Sequence, residues 1–195
     1  MFLILPVCCA AQKRKAVFLG AGLVANDIIN SSMFCYHLNF EEQFDDRWSF
    51  SFSVKYGLDS VSGVSSLNIN GVEKSVLTKY QSSNRSVEMG FRYYFDEAFN
   101  GLYIGPLIGI HNFDIVSPYA NNSELYAQKK KATSFVLGLG TGMNFKFTKR
   151  LLFQIAGSIG HGFVRASGYR NNLIATGSAG IGYMIDNRKP KNYWE

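Results

Sequence analysis

Six side chains capable of ion pairing or proton exchange, Glu41, Lys55, Glu88, Arg92, Tyr94 and Lys146, all lie in segments where every second residue is apolar. That spacing sets each of them on the face opposite a run of Phe, Leu, Val or Met, among Ser, Gly and Asn. Charges sheltered on such a face must pair or bear a large desolvation cost. The chemistry expected of these six, together with Tyr103 and Gln154, is an interior network of ion pairs and hydrogen bonds, a structural role.

Other candidates carry less. His37, His111 and His161 share no metal-like spacing with one another or with carboxylates, so no metal site is expected. His161 is the best placed of the three for a lipid-modifying reaction, yet no nucleophile stands beside it in a recognisable pattern. Gly20-Ala21-Gly22 follows an apolar run, with Glu41-Glu42 about twenty residues on, which mimics a dinucleotide fingerprint. The polar stretch 26–32 and the renewed alternation after it leave no place for the helix that motif needs, so no cofactor is expected.

Cys8, Cys9 and Cys35 are the three cysteines, too few and too clustered for a disulfide framework. The net charge of +6 is spread over Lys13–Lys15, Lys129–Lys131, Lys149-Arg150 and 188–191. Without a single basic stripe, nucleic acid is not an expected partner.

The elements that must hold these residues are strands. Phe34, Tyr36, Leu38 and Phe40 alternate with Cys35, His37, Asn39 and Glu41, and Trp48, Phe50, Phe52, Val54 and Tyr56 alternate with Ser49, Ser51, Ser53 and Lys55. Val87 to Phe95 and Phe135 to Phe147 repeat the pattern. With 15–25, 102–113, 151–165 and 173–185 the count reaches eight, and no segment of helical period is left. The connections near Asp45, at 96–101 and at 148–150 read as tight, whereas 57–83 and 114–131 read as long polar loops.

Composition decides which face meets which medium. Charged residues make up only 17% of the chain, against 19 Gly, 16 Phe and 11 Tyr; a soluble barrel would need many more charges outside. A Ser, Gly and Asn face suits a narrow interior, and aromatics near strand ends, such as Phe44, Trp48, Tyr56, Tyr93 to Phe95, Tyr103 and Tyr183, suit interfacial girdles. No apolar run is long enough for a transmembrane helix. The expected fold is all-β: one antiparallel up-and-down transmembrane β-barrel of about eight strands, with short turns on the periplasmic side and long loops outside.

Gly90-Phe91-Arg92-Tyr93-Tyr94-Phe95, a tight turn and Gly101-Leu102-Tyr103-Ile104-Gly105 resemble the central hairpin of small outer-membrane barrels, the OmpA-like and OmpX-like proteins and an uncharacterised domain family common in Bacteroidetes. Ser178, Gly180, Tyr183 and Ile185 also resemble the terminal assembly signal of such barrels. The resemblance implies residence in the outer membrane, contact with the barrel-assembly machinery, and little about activity.

Residues 1–11 read as a secretory signal peptide with cleavage after Ala11, its apolar part short enough that the start could lie upstream of Met1, and 12–195 as the barrel domain. The expected function is a scaffold or surface-interaction protein without catalysis. Its partners would be outer-membrane lipid, lipopolysaccharide and an extracellular protein or glycan, with Lys129, Lys130 and Lys131 as a cationic cluster for anionic sugars and phosphates. The alternatives are a lipid-modifying outer-membrane enzyme and a soluble periplasmic β-barrel that binds an apolar ligand.

Overall fold

The computed structural model describes residues 14–26, 31–69, 72–121, 124–164 and 172–186. Eight strands follow one another: β1 (Arg14–Asn26), β2 (Ser31–Gln43), β3 (Trp48–Ile69), β4 (Val72–Tyr94), β5 (Gly101–Asn121), β6 (Glu124–Lys146), β7 (Leu151–Val164) and β8 (Asn172–Asp186). Each pairs antiparallel with the next, and β8 closes on β1 from Arg14↔Asp186 to Asn26↔Ile174. Closure leaves the wall without a free edge, which a chain this rich in β-formers needs in order not to pair with its neighbours.

The alternation read from the sequence becomes a wall with two faces. Leu19, Leu38, Phe52, Phe91, Leu137, Ile159 and Ile181 stand exposed outside, while Phe18, Asn39, Ser51, Glu88 and Val136 are buried inside. Glycines admit close contacts within the wall. A Cβ on Gly105 would collide with the carbonyl of Phe91.

In segments 57–83 and 114–131, expected as loops, residues 57–69, 72–83, 114–121 and 124–131 are strand. The β3–β4 ladder continues to Ile69↔Val72 and the β5–β6 ladder to Asn121↔Glu124. Their neighbours stop far sooner: β2–β3 at Phe34↔Leu58, β4–β5 at Ser82↔Ile115 and β6–β7 at Ser134↔Val164. Past those points two hairpins rise from the wall as separate two-stranded arms. The sequence reading missed them because their Ser and Asn content lacks the apolar alternation that only a buried or lipid-facing strand requires.

At the opposite end the connections are short, and one folds inward. In the turn after β4, Ala98 and Phe99 are fully buried, and Phe99 adopts φ 66°, a region costly for any residue with a Cβ. They pack with Ala16, Phe18, Tyr94, Tyr103, Leu152 and Met184 in an apolar layer across the mouth. A second apolar layer, built from Val24, Met33, Cys35, Phe113, Ala132, Val136 and Ile174, crosses the lumen near the arms. The interior between these two apolar layers is polar, and Arg14 and Gln43 form a further buried polar pair at the turn-end mouth.

Candidate functional site

The polar middle of the lumen holds two groups of charges. In the first, Glu41 on β2 is fully enclosed and accepts from Ser49 Oγ (2.5 Å), Tyr94 Oη (2.6 Å) and Arg92 Nη1 (2.5 Å). Asn144 Nδ2 donates to Tyr94 Oη (2.8 Å), and Gln154 Nε2 donates to Asn144 Oδ1 (2.9 Å). The chain of bonds therefore ties β2, β3, β4, β6 and β7 together. Arg92 also lies 4.5 Å from the centre of the Tyr103 ring, a cation–π contact. With its amide oriented to suit both neighbours, Asn39 donates to the Phe52 carbonyl (3.2 Å) and accepts from Arg92 Nη2 (3.3 Å).

Nearer the arms, Lys55 Nζ donates to both carboxylate oxygens of Glu88 (2.8 and 2.7 Å) and lies 3.4 Å from Thr176 Oγ1. Glu88 Oε1 is also 3.1 Å from His111 Nε2, and His111 Nδ1 is 3.4 Å from Asn84 Nδ2. Ser86 stands opposite His111 in the β4–β5 register, which juxtaposes a serine, a histidine and a carboxylate. The Ser86 hydroxyl has no protein hydrogen-bond partner and Asn84 occupies the histidine nitrogen it would use. This is not the relay of an activated nucleophile.

Of the six residues singled out from the sequence, Glu41, Arg92 and Tyr94 meet in the first group and Lys55 and Glu88 in the second. Lys146 stands apart at the mouth, its Nζ 3.5 Å from Glu97 Oε2. Lys131 projects from β6 with its side chain 85% exposed, 4.0 Å from Asp114. Lys129 and Lys130 follow in the same strand of the second arm, opposite Val116 and Ile115.

His161 lies on the outer face against Phe163, with ring centres 4.9 Å apart, and opposite Leu137 and Leu173 in the ladders. Gly20 and Gly22 are β1 wall residues packed near His37 and Ser178, so no phosphate loop forms. The proposed signal peptide lies outside the described residues. Among the described residues no cluster suited to a metal ion occurs.

His111, Ser49, Asn144 and Thr176 join the network without having been singled out. His111 was open to detection, since Ile108, Ile110 and Asn112 alternate with Gly109, His111 and Phe113 and so put the histidine on the inner face. Tyr94 and Tyr103, counted with the girdle aromatics as well as with the lumen, are both inside.

Outside, the apolar belt is continuous across all eight strands, and at the turn end an aromatic collar includes Phe44 stacked on Trp48, Trp48 against Tyr93, and Phe147 against Phe153. Apolar residues outward and polar residues inward invert a soluble barrel, which overturns the reading as a soluble carrier of apolar ligands. The wall is built to sit in hydrocarbon, as a barrel of the outer membrane.

A family model described as a protein of unknown function (DUF3575) matches residues 24–194. No curated protein sequence matches the chain. Among solved structures, Ail, the attachment invasion locus protein of Yersinia pestis, in complex with the heparin analogue sucrose octasulfate, is similar at a TM-score of 0.58 and 14% identity, over 89% of this chain and 99% of that one. Neisserial surface protein A is similar at 0.53 and 16% identity, over 88% and 95% of the two chains. OprG of Pseudomonas aeruginosa is similar at 0.52 and 12% identity, over 90% and 97%. These likenesses concern the fold of small outer-membrane barrels.

Proposed function

The chain belongs to the DUF3575 family, proteins of unknown function, and we propose that it is an outer-membrane scaffold whose two projecting arms meet ligands at the cell surface. The observation that carries this reading is the extension of the β3–β4 and β5–β6 ladders beyond the point where the wall ends. A free two-stranded ribbon is marginal by itself and presents unpaired backbone edges. Such edges suit a partner protein that adds a strand.

The second arm carries Lys129, Lys130 and Lys131 in consecutive positions. Three cations there favour an anionic glycan, such as the phosphorylated sugars of lipopolysaccharide. The complex of Ail with a heparin analogue supports the same ligand class on a related fold. Removal of the leader at 1–11 and insertion by the barrel-assembly machinery belong to this reading, with no catalytic step.

Shortening both arms is expected to leave the heat-modifiable gel mobility of a folded barrel intact while abolishing glycan binding. Replacing the three lysines by serine is expected to weaken binding to immobilised heparin and to lipopolysaccharide, most strongly at low salt. Unchanged binding by the arm-shortened protein would overturn the reading.

A further inference from the structure

Small residues line the middle of the lumen, and between the two charged groups they leave a cavity of about 70 Å³, well above the roughly 10–15 Å³ that one water molecule requires. His37, Lys55, Arg92, Tyr103, Ala156 and Ser178 are among the residues around it. Two of these carry buried polar atoms with no protein hydrogen-bond partner, His37 Nδ1 and Tyr103 Oη. Buried polar groups are almost always satisfied, by solvent where protein fails. The charges do not call for an ion, because Lys55 is held by Glu88 and Arg92 by Glu41. What fits is a neutral, hydrogen-bonding guest.

Towards the turn end this space is bounded by Tyr103 and Ala156, which belong to or pack on the apolar layer, and the inward-folded turn supplies Ala98 and Phe99 to the same layer. Besides the apolar packing of Ala98 and Phe99, the turn is held by polar contacts at the mouth. Arg14 Nη2 is 2.6 Å from Glu97 Oε1, Lys146 Nζ is 3.5 Å from Glu97 Oε2, and the Ala98 amide donates to the Asp46 carbonyl (2.8 Å). Glu97 is half exposed, so water competes for those charges. Phe99 meanwhile sits at φ 66°, a conformation that favours its departure from the mouth. Ala156 lines the cavity and also packs on the apolar layer to which Phe99 belongs, so this one layer stands between the cavity and the mouth.

We propose that the lumen is a binding chamber for water and small uncharged polar solutes, entered from the turn end when the Arg14–Glu97–Lys146 latch releases the turn 95–100. The chamber lies in the middle of the lumen, below the arms, and does not depend on their function.

The test uses the full chain with its three cysteines replaced by alanine and one introduced by Ala156→Cys, refolded in lipid vesicles. Its probe is a small water-soluble methanethiosulfonate. With the latch intact, labelling of the folded barrel is expected to be slow, and Arg14→Ala or Glu97→Ala is expected to speed it about tenfold or more, the scale of one lost local contact. Phe113→Ala, in the apolar layer near the arms, is expected to change it little. Equal rates with and without the latch, or acceleration by Phe113→Ala alone, would overturn the proposal.

Should the latch variants fail to fold, amide exchange in the unmodified protein decides. The Ala98 amide is expected to exchange well ahead of the amides in β5, and exchange as slow as theirs would overturn the proposal.

Discussion

Arg92 on β4 reaches past β3 to Glu41 on β2, its Nη1 donating to Oε2 at 2.5 Å, and so joins two strands that are not neighbours in the wall. Glu41 has no exposed surface and the Arg92 side chain only 13%. Breaking the pair from one side leaves an enclosed charge with hydroxyl donors alone. Arg92→Met is expected to cost about 3–5 kcal/mol, and Arg92→Met combined with Glu41→Gln clearly less. Urea unfolding of the single and double variants in lipid vesicles measures the difference; equal costs would mean that the pair is not the linchpin of the lower network.

The two faces of one strand should respond differently to the same charge. Phe52 is 36% exposed on the outer face of β3 and its neighbour Ser51 is 8% exposed on the inner. Phe52→Arg is expected to destabilise the barrel by about 2–4 kcal/mol where the position lies near mid-membrane, and to lose that cost in detergent with thick polar headgroups. Ser51→Arg is expected to act through overpacking beside Gly90, in every medium alike. Identical dependence on the medium for both variants would contradict the assignment of faces.

Phe99 separates backbone strain from packing. Phe99→Ala and Phe99→Gly both remove the ring from the mouth, but alanine keeps the steric penalty of φ 66° and glycine does not. Glycine is therefore expected to be the less damaging of the two, by about 1 kcal/mol. Thermal unfolding of the two variants side by side checks this. The usual order, with alanine the milder, would show that the turn does not hold this conformation.

Glu97 ties the latch to pH. Partial burial works to raise its carboxyl, but the charges of Arg14 and Lys146 outweigh that and hold it below the usual carboxylate range. A depressed acid contributes stability that is present above its unfolded-state range and is lost as pH falls through the folded-state value. The barrel is thus expected to lose part of its stability on acidification below the ordinary carboxylate range, and Glu97→Gln to flatten that part of the profile. Because the side chain is half exposed, the effect is modest and falls with salt. Parallel profiles for the native chain and Glu97→Gln would remove Glu97 from the account.

Period two is a property of the extended backbone itself, so the alternation of Phe50 and Phe52 with Ser49 and Ser51 sufficed to identify strands, to separate a lipid face from a lumen face and to count eight of them. It also put Glu41, Lys55, Glu88, Arg92 and Tyr94 on the inner side. It did not decide their partners. Glu41 meets Arg92 and Glu88 meets Lys55 because the ladders align Ser53 with Glu88 and Asn39 with Ser53, and register is a relation between strands that no single segment carries.

The arms escaped notice for a related reason. A ribbon with water on both sides needs no alternation, so its sequence looks like a loop until the paired strand is seen. Phe99 is the sharpest case. Its segment is a short turn by every local sign, and only the closed barrel supplies the apolar mouth whose burial of an aromatic ring offsets the cost of a left-handed backbone.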